Sequence, residues 1–280
     1  MIERKINMIK ELLNSHKGKF NFYQKLPPCV KRHIPELDGD HYQQKQVSVD
    51  TQRFDWLTKN LDVRGMRVTE IGASIGYFSV RLGAEFNASV FAYEPIAHYS
   101  TLINLFCELC NLGDRVKGVN KGVSINDIED LPEGDLIVSL NTLHHAGSSY
   151  DTDLVRDISD WRGYAIDYLK ELNKKYKFLF LQTGNVWKGK VIFISEETVS
   201  FVKGLLVDSG WDILKMGVIE DFTVMDYKTY DNASISEVQP VTAYRNKETG
   251  LVDYFDRDDC IASMPSGLAQ RPLWLCKVAT

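Results

Sequence analysis

The stretch that decides the fold is VTEIGASIGYFSVRLG, residues 68–83. A short β-rich run ends at an acid, Glu70, and Gly72 and Gly76 follow before an amphipathic helical pattern begins. Glycine tolerates left-handed backbone and the close approach of other groups, and a helix N-terminus presents free amide groups at the positive end of its dipole. The pattern predicts a strand, a tight turn and a helix, and leaves open whether the turn binds a ligand or is only a corner.

Strand-like and helix-like segments alternate on both sides of this turn. Helical patterns cover residues 76–86, 98–113, 151–175 and 195–210, the last between Ser195 and Gly210. Six further strands are predicted at 88–95, 114–124, 134–140, 176–184, 211–219 and 271–279. Alternation of this kind favours parallel pairing. The sequence therefore predicts an α/β fold with a doubly wound, seven-stranded, mostly parallel sheet of Rossmann-like type.

Two regions lie outside this alternation. Residues 1–60 are predicted to form a helical and irregular cap, which begins with an apolar stripe at Ile2, Ile6, Ile9 and Leu13. Residues 61–280 would form the main domain, with a polar, turn-rich insert at 219–270 that contains a hairpin around Glu248–Gly250. Because these regions are additions to the alternating core, we expect them to supply substrate recognition.

Composition and charge limit the class of protein. The chain has 280 residues, of which 44% are hydrophobic and 25% charged, as in ordinary globular proteins. No apolar run approaches the ~20 residues of a membrane span, and the N-terminus lacks the apolar stretch of a signal peptide. A soluble, cytoplasmic protein is expected. The net charge of -5 argues against a large nucleic-acid footprint, although a small basic patch would still be compatible with RNA.

The five cysteines do not form a recognisable framework. Their number is odd, and the CxxC pair Cys107 and Cys110 lies in a helical pattern without a second pair nearby. Burial in the core is the expected fate of these thiols. The segment after the predicted fifth strand, LQTGNVWKG, has no acidic residues, and no metal site is predicted.

A carboxylate is placed for a nucleoside ligand. Glu94 ends the second predicted strand, 24 residues after Glu70 ends the first. In doubly wound sheets, ligands bind at the carboxyl ends of the strands, and an acid at this position can accept hydrogen bonds from ribose hydroxyls. The GxGxxG pattern of dinucleotide sites is absent. The pattern indicates a site for an adenosine without a diphosphate contact.

Three motifs now resemble one family. The stretch 68–83 is similar to the first motif, E/D-x-G-x-x-x-G, of class I S-adenosylmethionine-dependent methyltransferases. VFAYEP (90–95) is similar to their second motif, and DLIVSLNTLHH (135–145) to their fourth. The resemblance covers about residues 50–218 and the last strand, and the seven-strand count, with no helix before that strand, also matches the family.

The resemblance implies a cofactor and the residues that bind it. The cofactor would be S-adenosyl-L-methionine and the product S-adenosyl-L-homocysteine. The implied cofactor-binding residues are Glu70, Gly72, Ala73, Ser74, Gly76, Tyr77, Glu94, Pro95, Ile96, Gly122, Val123, Asn141 and Leu143. For the adenine contact, Asn120, Lys121 and Ser124 remain alternatives.

The chemistry depends on the acceptor. A hydroxyl acceptor needs a general base, whereas an anionic oxygen needs positioning only. His144 and His145 follow the fourth strand and are the candidate bases, with packing or loop fixation as the alternative. NTLH lacks the prolines of nucleobase amino-methyltransferases, which disfavours that reaction.

The acceptor is expected to be a small polar molecule or glycan. O-methylation of a sugar, a glycan, a sugar phosphate or a related metabolite is the first hypothesis. An RNA or tRNA methyltransferase is the second, and a regulator that binds S-adenosylmethionine without turnover is the third. Cations and a tryptophan outside the core could meet an anionic or sugar-like acceptor; these are Lys31, Arg32, His33, Trp187, Lys188 and Lys190.

Overall fold

The computed structural model describes residues 2–15, 24–35, 49–188, 190–192, 198–220, 226–235, 238, 243–245, 252–254 and 271–279. The helices are α1 (Ile2–Ser15), α2 (Pro28–His33), α3 (Asp50–Asn60), α4 (Tyr77–Phe86), α5 (Ala97–Leu109), α6 (Ile158–Asn173) and α7 (Thr198–Asp208). The strands are β1 (Arg67–Ile71), β2 (Ser89–Tyr93), β3 (Val116–Val119), β4 (Gly134–Leu140), β5 (Tyr176–Gln182), β6 (Val186–Trp187), β7 (Lys190–Val191), β8 (Trp211–Ile219), β9 (Tyr227–Asp231), β10 (Ala243–Arg245), β11 (Val252–Tyr254) and β12 (Leu273–Val278). Two short 3-10 helices cover Ile125–Asp130 and Leu143–His145.

One sheet organises the molecule. Its eight described strands run in the order β3-β2-β1-β4-β5-β12-β8-β9. Neighbours from β3 to β5 are parallel, whereas β12 is antiparallel to both β5 and β8, and β9 is antiparallel to β8. The predicted α/β fold with a mostly parallel sheet is confirmed, but the predicted count of seven strands is wrong. The additional strand, β9, comes from the region predicted to be an insert.

The two faces of the sheet carry separate hydrophobic clusters. Along β4, Leu136 and Val138 pack on one face, while Ile137 packs on the other. This alternation follows from the two-residue period of a strand. Residues of α1, α4 and α5 belong to the first cluster, and residues of α6 and α7 belong to the second. Both faces of the parallel strands are therefore covered by helices, as βαβ crossovers require.

The N-terminal helices pack on the first face. α1 contacts α5, α2 contacts α4 and α5, and α3 contacts α4 and β9. Of the predicted apolar stripe in α1, Ile9 and Leu13 are buried and Ile6 is partly buried, whereas Ile2 is exposed. The helix is thus anchored by its C-terminal half.

Parts of two predictions lie outside the described residues. β10 and β11 pair antiparallel, but the turn predicted around Glu248–Gly250 is not among those residues. The helix predicted from Ser195 is described from Thr198, and it ends at Asp208, before Gly210 with φ 81°.

The CxxC pair lies at the end of α5. Cys107 is buried and Cys110 is half-buried, and both are free thiols. Asn111, at φ 56°, terminates the helix before the predicted stop at Gly113. Within the described ranges, no group of three or more His, Cys, Asp or Glu residues is arranged to bind a metal ion. Nor does any helix there combine the length and the apolar character needed to cross a bilayer.

Candidate functional site

A cavity of about 790 Å³ opens at the carboxyl ends of β1, β2, β3 and β4. Its volume is in the range of small-molecule sites, ~300–1,000 Å³. The lining residues come from the ends of these strands and the segments after them, from the N-terminal region and from the segment just before β12. They are Gln24, Arg53, Glu70, Ile71, Gly72, Ser74, Tyr93, Glu94, Pro95, Ile96, Tyr99, Lys121, Gly122, Val123, Leu140, Asn141, Thr142, His144, His145, Ser149, Tyr150 and Arg271.

The turn after β1 is held tightly by the protein itself. Gly72 and Gly76 both have left-handed backbone, with φ 73° and 83°. A Cβ at Gly72 would lie 2.2 Å from Thr142 Cγ2, and one at Gly76 would lie 2.8 Å from Ile103 Cγ1. The amides of Gly72 and Ala73 donate to the carbonyl of Tyr93, at 2.8 and 3.1 Å. Internal packing therefore requires both glycines, whether or not a ligand is bound.

Glu70 is an enclosed acid at the end of β1. Its Oε2 accepts hydrogen bonds from the backbone N and the hydroxyl of Ser79, in the first turn of α4. Burial raises the pKa of the carboxyl to about 7, against the opposing effects of the Ser79 bonds and of the nearby Arg53 charge. The side chain also lines the cavity, so Glu70 combines helix capping with a position at the site.

Glu94 is held in the cavity wall at the end of β2. Its Oε2 accepts from Ser74 N at 2.7 Å and its Oε1 from Ile96 N at 3.0 Å. Burial raises its pKa, although both amides favour the carboxylate. Ser74 has φ 51°, which is uncommon for a residue other than glycine. The carboxylate therefore connects the β1 turn to the β2 loop.

The three alternatives for an adenine contact differ in position. Lys121 lines the cavity and forms an ion pair with Asp127 at 2.7 Å. Asn120 donates through Nδ2 to the carbonyls of Glu94 and Pro95, at 3.1 and 3.0 Å, and so fixes the β2 loop. Ser124 begins the 3-10 helix at Ile125 in a reciprocal cap with Asp127.

A network of polar side chains forms the floor of the cavity beside β4 and β5. Asn141, which follows β4 with φ 59°, donates to Gln182 Oε1 at 3.0 Å and accepts from Arg271 Nη1 at 2.7 Å. Gln182 also accepts from Arg53 Nη1 at 3.1 Å and donates to the Arg271 carbonyl at 2.7 Å. Arg53 in turn forms a buried ion pair with Asp50. These bonds connect the ends of β4 and β5 to α3 and to the start of β12.

The two histidines differ in their hydrogen bonding. His144 is buried, and its Nδ1 accepts from the backbone N of Gly184 at 3.1 Å. Burial, with the charges of Arg271 and His145, lowers the pKa of His144 well below its ordinary value. Its ring is therefore neutral, with the proton on Nε2. The ring centroid of His145 lies 4.1 Å from that of His144. Although the residue as a whole is exposed, partial desolvation of its imidazole and the Arg271 charge lower its pKa too.

Most of the predicted site residues line this cavity. They are Glu70, Gly72, Ser74, Glu94, Pro95, Ile96, Gly122, Val123, Asn141, His144 and His145. The other four are buried near it without being part of its lining, namely Ala73, Gly76, Tyr77 and Leu143. Their binding roles stay predictions. The cations of α2 are likewise not part of the lining, and Lys188 lies over the ring of Trp187 at 4.4 Å.

Both arginines of the cavity, Arg53 and Arg271, lie outside the set of site residues predicted from the sequence. Arg53 lies in a helical pattern next to apolar residues, and its Asp50 partner three residues earlier is the only local signal. Arg271 precedes the last strand, and nothing in its neighbourhood marks it as a site residue. Burial and the Arg53 charge lower the pKa of Arg271 to about 10.

The similarity of this chain to known proteins lies in its fold. Neither protein-family models nor curated proteins match the sequence. A solved structure of WbdD matches with a TM-score of 0.56 and 16% identity, over 96% of this chain and 46% of that chain. The chain has the fold of the class I S-adenosylmethionine-dependent methyltransferases. Another structure of WbdD describes it as a bifunctional kinase-methyltransferase, and the chain spans 35% of that one.

Two more methyltransferases are similar to this fold over most of their own length. Magnesium protoporphyrin IX methyltransferase (ChlM) from Synechocystis PCC 6803 with bound SAM has a TM-score of 0.46 and 13% identity, over 80% of this chain and 93% of that chain. Precorrin-6y C5,15-methyltransferase from Geobacter metallireducens has a TM-score of 0.45 and 12% identity, over 85% and 93%. At these identities the likeness concerns the fold.

Proposed function

We propose that this protein is an S-adenosylmethionine-dependent methyltransferase that O-methylates a small polar acceptor such as a sugar, a glycan, a sugar phosphate or a related metabolite. One observation carries the proposal: two carboxyl groups, Glu70 and Glu94, end neighbouring parallel strands and line the same cavity. A nucleoside with a charged amino acid tail offers a partner for each of them.

The residues present fit this cofactor. The Glu94 carboxylate uses one lone pair on each oxygen for a backbone amide, and the remaining pairs can accept from the two ribose hydroxyls. Ile96 and Val123 offer apolar surface for the adenine. Glu70, whose described hydrogen bonds all go to Oε2, would take the ammonium group through Oε1. When bound, the cofactor supplies an electrophilic methyl group on a sulfonium.

The chain's own residues would position the acceptor and move its proton. Gly184 N already donates to His144 Nδ1, so His144 offers an Nε2–H donor and has no free basic nitrogen. His145 lines the cavity, and its lowered pKa keeps the ring unprotonated at neutral pH. Of the two predicted bases, we therefore assign proton removal from a hydroxyl acceptor to His145 and orientation to His144.

Titration calorimetry tests the cofactor assignment. S-adenosylmethionine should bind to the protein and NAD should not. Replacement Glu94→Gln removes the negative charge and one acceptor oxygen, and should weaken binding about tenfold or more. The matched control is Glu171→Gln, because Glu171 is exposed and paired with Lys174. Unchanged affinity in Glu94→Gln would disprove the ribose assignment, and absence of binding to the unmodified protein would disprove the function.

Incorporation of a radiolabelled methyl group then identifies the acceptor class. The fractions to compare are small molecules, polysaccharide and RNA, each with the protein and S-adenosylmethionine. Label in the first two supports the proposal, and label in RNA supports the second hypothesis instead. Binding without label in any fraction would favour a regulator that holds the cofactor without turnover.

A further inference from the structure

Arg271 carries a positive charge that no described acid neutralises. Among the described residues, the only hydrogen bond of its guanidinium runs from Nη1 to Asn141 Oδ1 at 2.7 Å, and no carboxylate lies within ion-pair distance. A guanidinium has five N–H donors, so four remain for other partners. The side chain is part of the cavity lining. An enclosed charge without a counter-ion is costly, and an anion in the cavity would offset that cost.

The neighbouring arginine shows the contrast. Arg53 also lines the cavity, but Asp50 compensates its charge in a buried ion pair. It additionally donates to Gln182 at 3.1 Å. Arg53 adds to the positive potential at Arg271 and supplies no negative charge there. Among the described residues, the cavity wall at this point therefore holds one guanidinium with a carboxylate partner, Arg53, and one without, Arg271.

The backbone makes room for Arg271 and His144 to converge. A Cβ at Gly184 would lie 2.9 Å from Arg271 Cζ and 3.0 Å from His144 Cδ2. Any side chain at Gly184 would therefore displace one of the two. The guanidinium and the His144 ring are packed against the same stretch of backbone, both side chains line the cavity, and both carry hydrogen-bond donors. Donors of this kind, without an acceptor among them, suit an oxyanion.

Arg271 lies in a different part of the cavity from Glu94, the residue predicted to bind the ribose of the cofactor. Glu94 directly follows β2, whereas the Arg271 carbonyl accepts from Gln182 at the end of β5, and β1 and β4 lie between these two strands. Three strand spacings of ~4.8 Å give ~14 Å along the sheet edge. Glu94, the predicted ribose acid, and the backbone of Arg271 therefore lie toward different ends of this row of strands, and the Arg271 side chain reaches back to Asn141 after β4.

We infer that Arg271, with the Nε2–H of neutral His144, forms an oxyanion-binding subsite for the methyl acceptor. The acceptor would then carry a carboxylate or a phosphate monoester, whose paired oxygens match the fork of a guanidinium. The inference rests on the proposed function, because it assigns the anion to the acceptor and not to the cofactor. It narrows the acceptor class from polar molecules in general to anionic ones.

Titrations with minimal anions test the subsite. Acetate and methyl phosphate are titrated against chloride at constant ionic strength, with the full chain, both without and with saturating S-adenosyl-L-homocysteine. Calorimetry and the thermal unfolding midpoint are the readouts. One of the two anions should bind better than chloride under both conditions. Which one it is tells whether the acceptor carries a carboxylate or a phosphate group. In Arg271→Gln its affinity should fall about tenfold, and Arg271→Lys should retain part of it.

Controls separate the subsite from general effects. Arg64→Gln removes an exposed, paired arginine and should leave anion binding unchanged. The thermal unfolding midpoint of Arg271→Gln in chloride shows whether this variant folds. If it does not fold, Arg271→Lys is compared with the unmodified protein instead, because lysine keeps the positive charge but lacks the paired N–H donors of a guanidinium.

Three results would overturn the inference. The first is that neither anion binds better than chloride, and the second is that Arg271→Gln binds the anion as well as the unmodified protein does. The third is that saturation with S-adenosyl-L-homocysteine abolishes anion binding and that Arg271→Gln also binds S-adenosyl-L-homocysteine tenfold more weakly. The last would assign Arg271 to the cofactor. A failure of S-adenosyl-L-homocysteine to bind, with Arg271-dependent anion binding retained, overturns the proposed function and leaves the oxyanion site supported.

Discussion

At the scale of single residues, Glu70 has two functions that conflict. It caps α4 through Ser79, which needs an acceptor oxygen but not a negative charge. It also faces the cavity, where a negative charge would attract a cationic ligand group. Burial destabilises the charged form of Glu70, and this raises the pKa of its carboxyl group to about 7. A position kept at the expense of stability is typical of a binding residue.

The variant Glu70→Gln separates these functions. In the folded protein the pKa of Glu70 is raised from 4.5 to about 7, so the native state holds a proton that the unfolded state releases as pH rises through this interval. Wild-type stability should therefore decline across it relative to Glu70→Gln, by up to about 3 kcal/mol. Urea denaturation of both proteins at pH 4.5 and pH 8 measures the change. A constant difference between the two would show that Glu70 is not a buried, titrating acid.

At the scale of elements, the direction of β12 decides what reaches the cavity. β12 lies between β5 and β8 and is antiparallel to both, so its first residues lie beside the carboxyl end of β5. This brings Arg271 next to Gln182. A parallel strand would place the same residue at the opposite edge of the sheet, ~20 Å away for six residues at ~3.3 Å each. Because a single strand pattern does not contain its own direction, the sequence predicted this strand but not its contribution to the site.

Other parts of the site and the sheet differ in the same way: some could be predicted from the neighbouring sequence, and others depend on contacts with distant parts of the chain. Glu70 and Glu94 could be predicted because each ends an apolar run and the ends of parallel strands meet. β9 could not, because its half-exposed residues, Tyr227–Asp231, show no buried run, and pairing with β8 at the sheet edge forms it. Likewise, Arg53 enters the cavity because α3 packs against the sheet.

The turn between β1 and α4 gives a prediction at this scale. Gly72→Ala introduces a Cβ 2.2 Å from Thr142 Cγ2 in addition to the left-handed φ of 73°. The expected loss of stability is about 2–4 kcal/mol, measured by denaturation. Gly65→Ala is the matched control, because Gly65 has φ 66° and nothing within 4 Å of its added Cβ. Gly65→Ala should lower stability only through the strain of a left-handed backbone at alanine, by about 1–2 kcal/mol.

A second substitution checks the cause. Thr142→Ser removes Cγ2 and keeps the hydroxyl that is hydrogen-bonded to Ser139 at 2.7 Å. The double variant Gly72→Ala/Thr142→Ser should recover the part of the loss that is due to the clash. If it recovers nothing, contact with Thr142 is not what requires a glycine at this position.

At the scale of the whole molecule, the N-terminal region completes the cavity that the sheet begins. Gln24 and Arg53 line it, and the role of this region in substrate recognition stays a prediction. Asp50 connects the two parts, since it accepts from Lys25 N at 2.9 Å and pairs with Arg53, which in turn donates to Gln182 at the end of β5. Trp56 strengthens the connection by stacking on Phe180 at 5.9 Å.

Replacing Asp50 should therefore weaken the molecule well beyond the loss of one contact. Asp50→Asn leaves the Arg53 charge buried without its carboxylate partner and within the influence of the Arg271 charge, so we expect a loss of about 3 kcal/mol or more. The chain offers a matched control in Asp62→Asn, because Asp62 pairs with Arg64 at 2.7 Å on the surface. That exposed pair should contribute less than about 1 kcal/mol. Denaturation measures both losses, and hydrogen exchange over residues 24–35 should quicken in Asp50→Asn alone. Equal losses in the two variants would mean that the Asp50–Arg53 pair is solvated in solution and does not join the N-terminal region to the sheet.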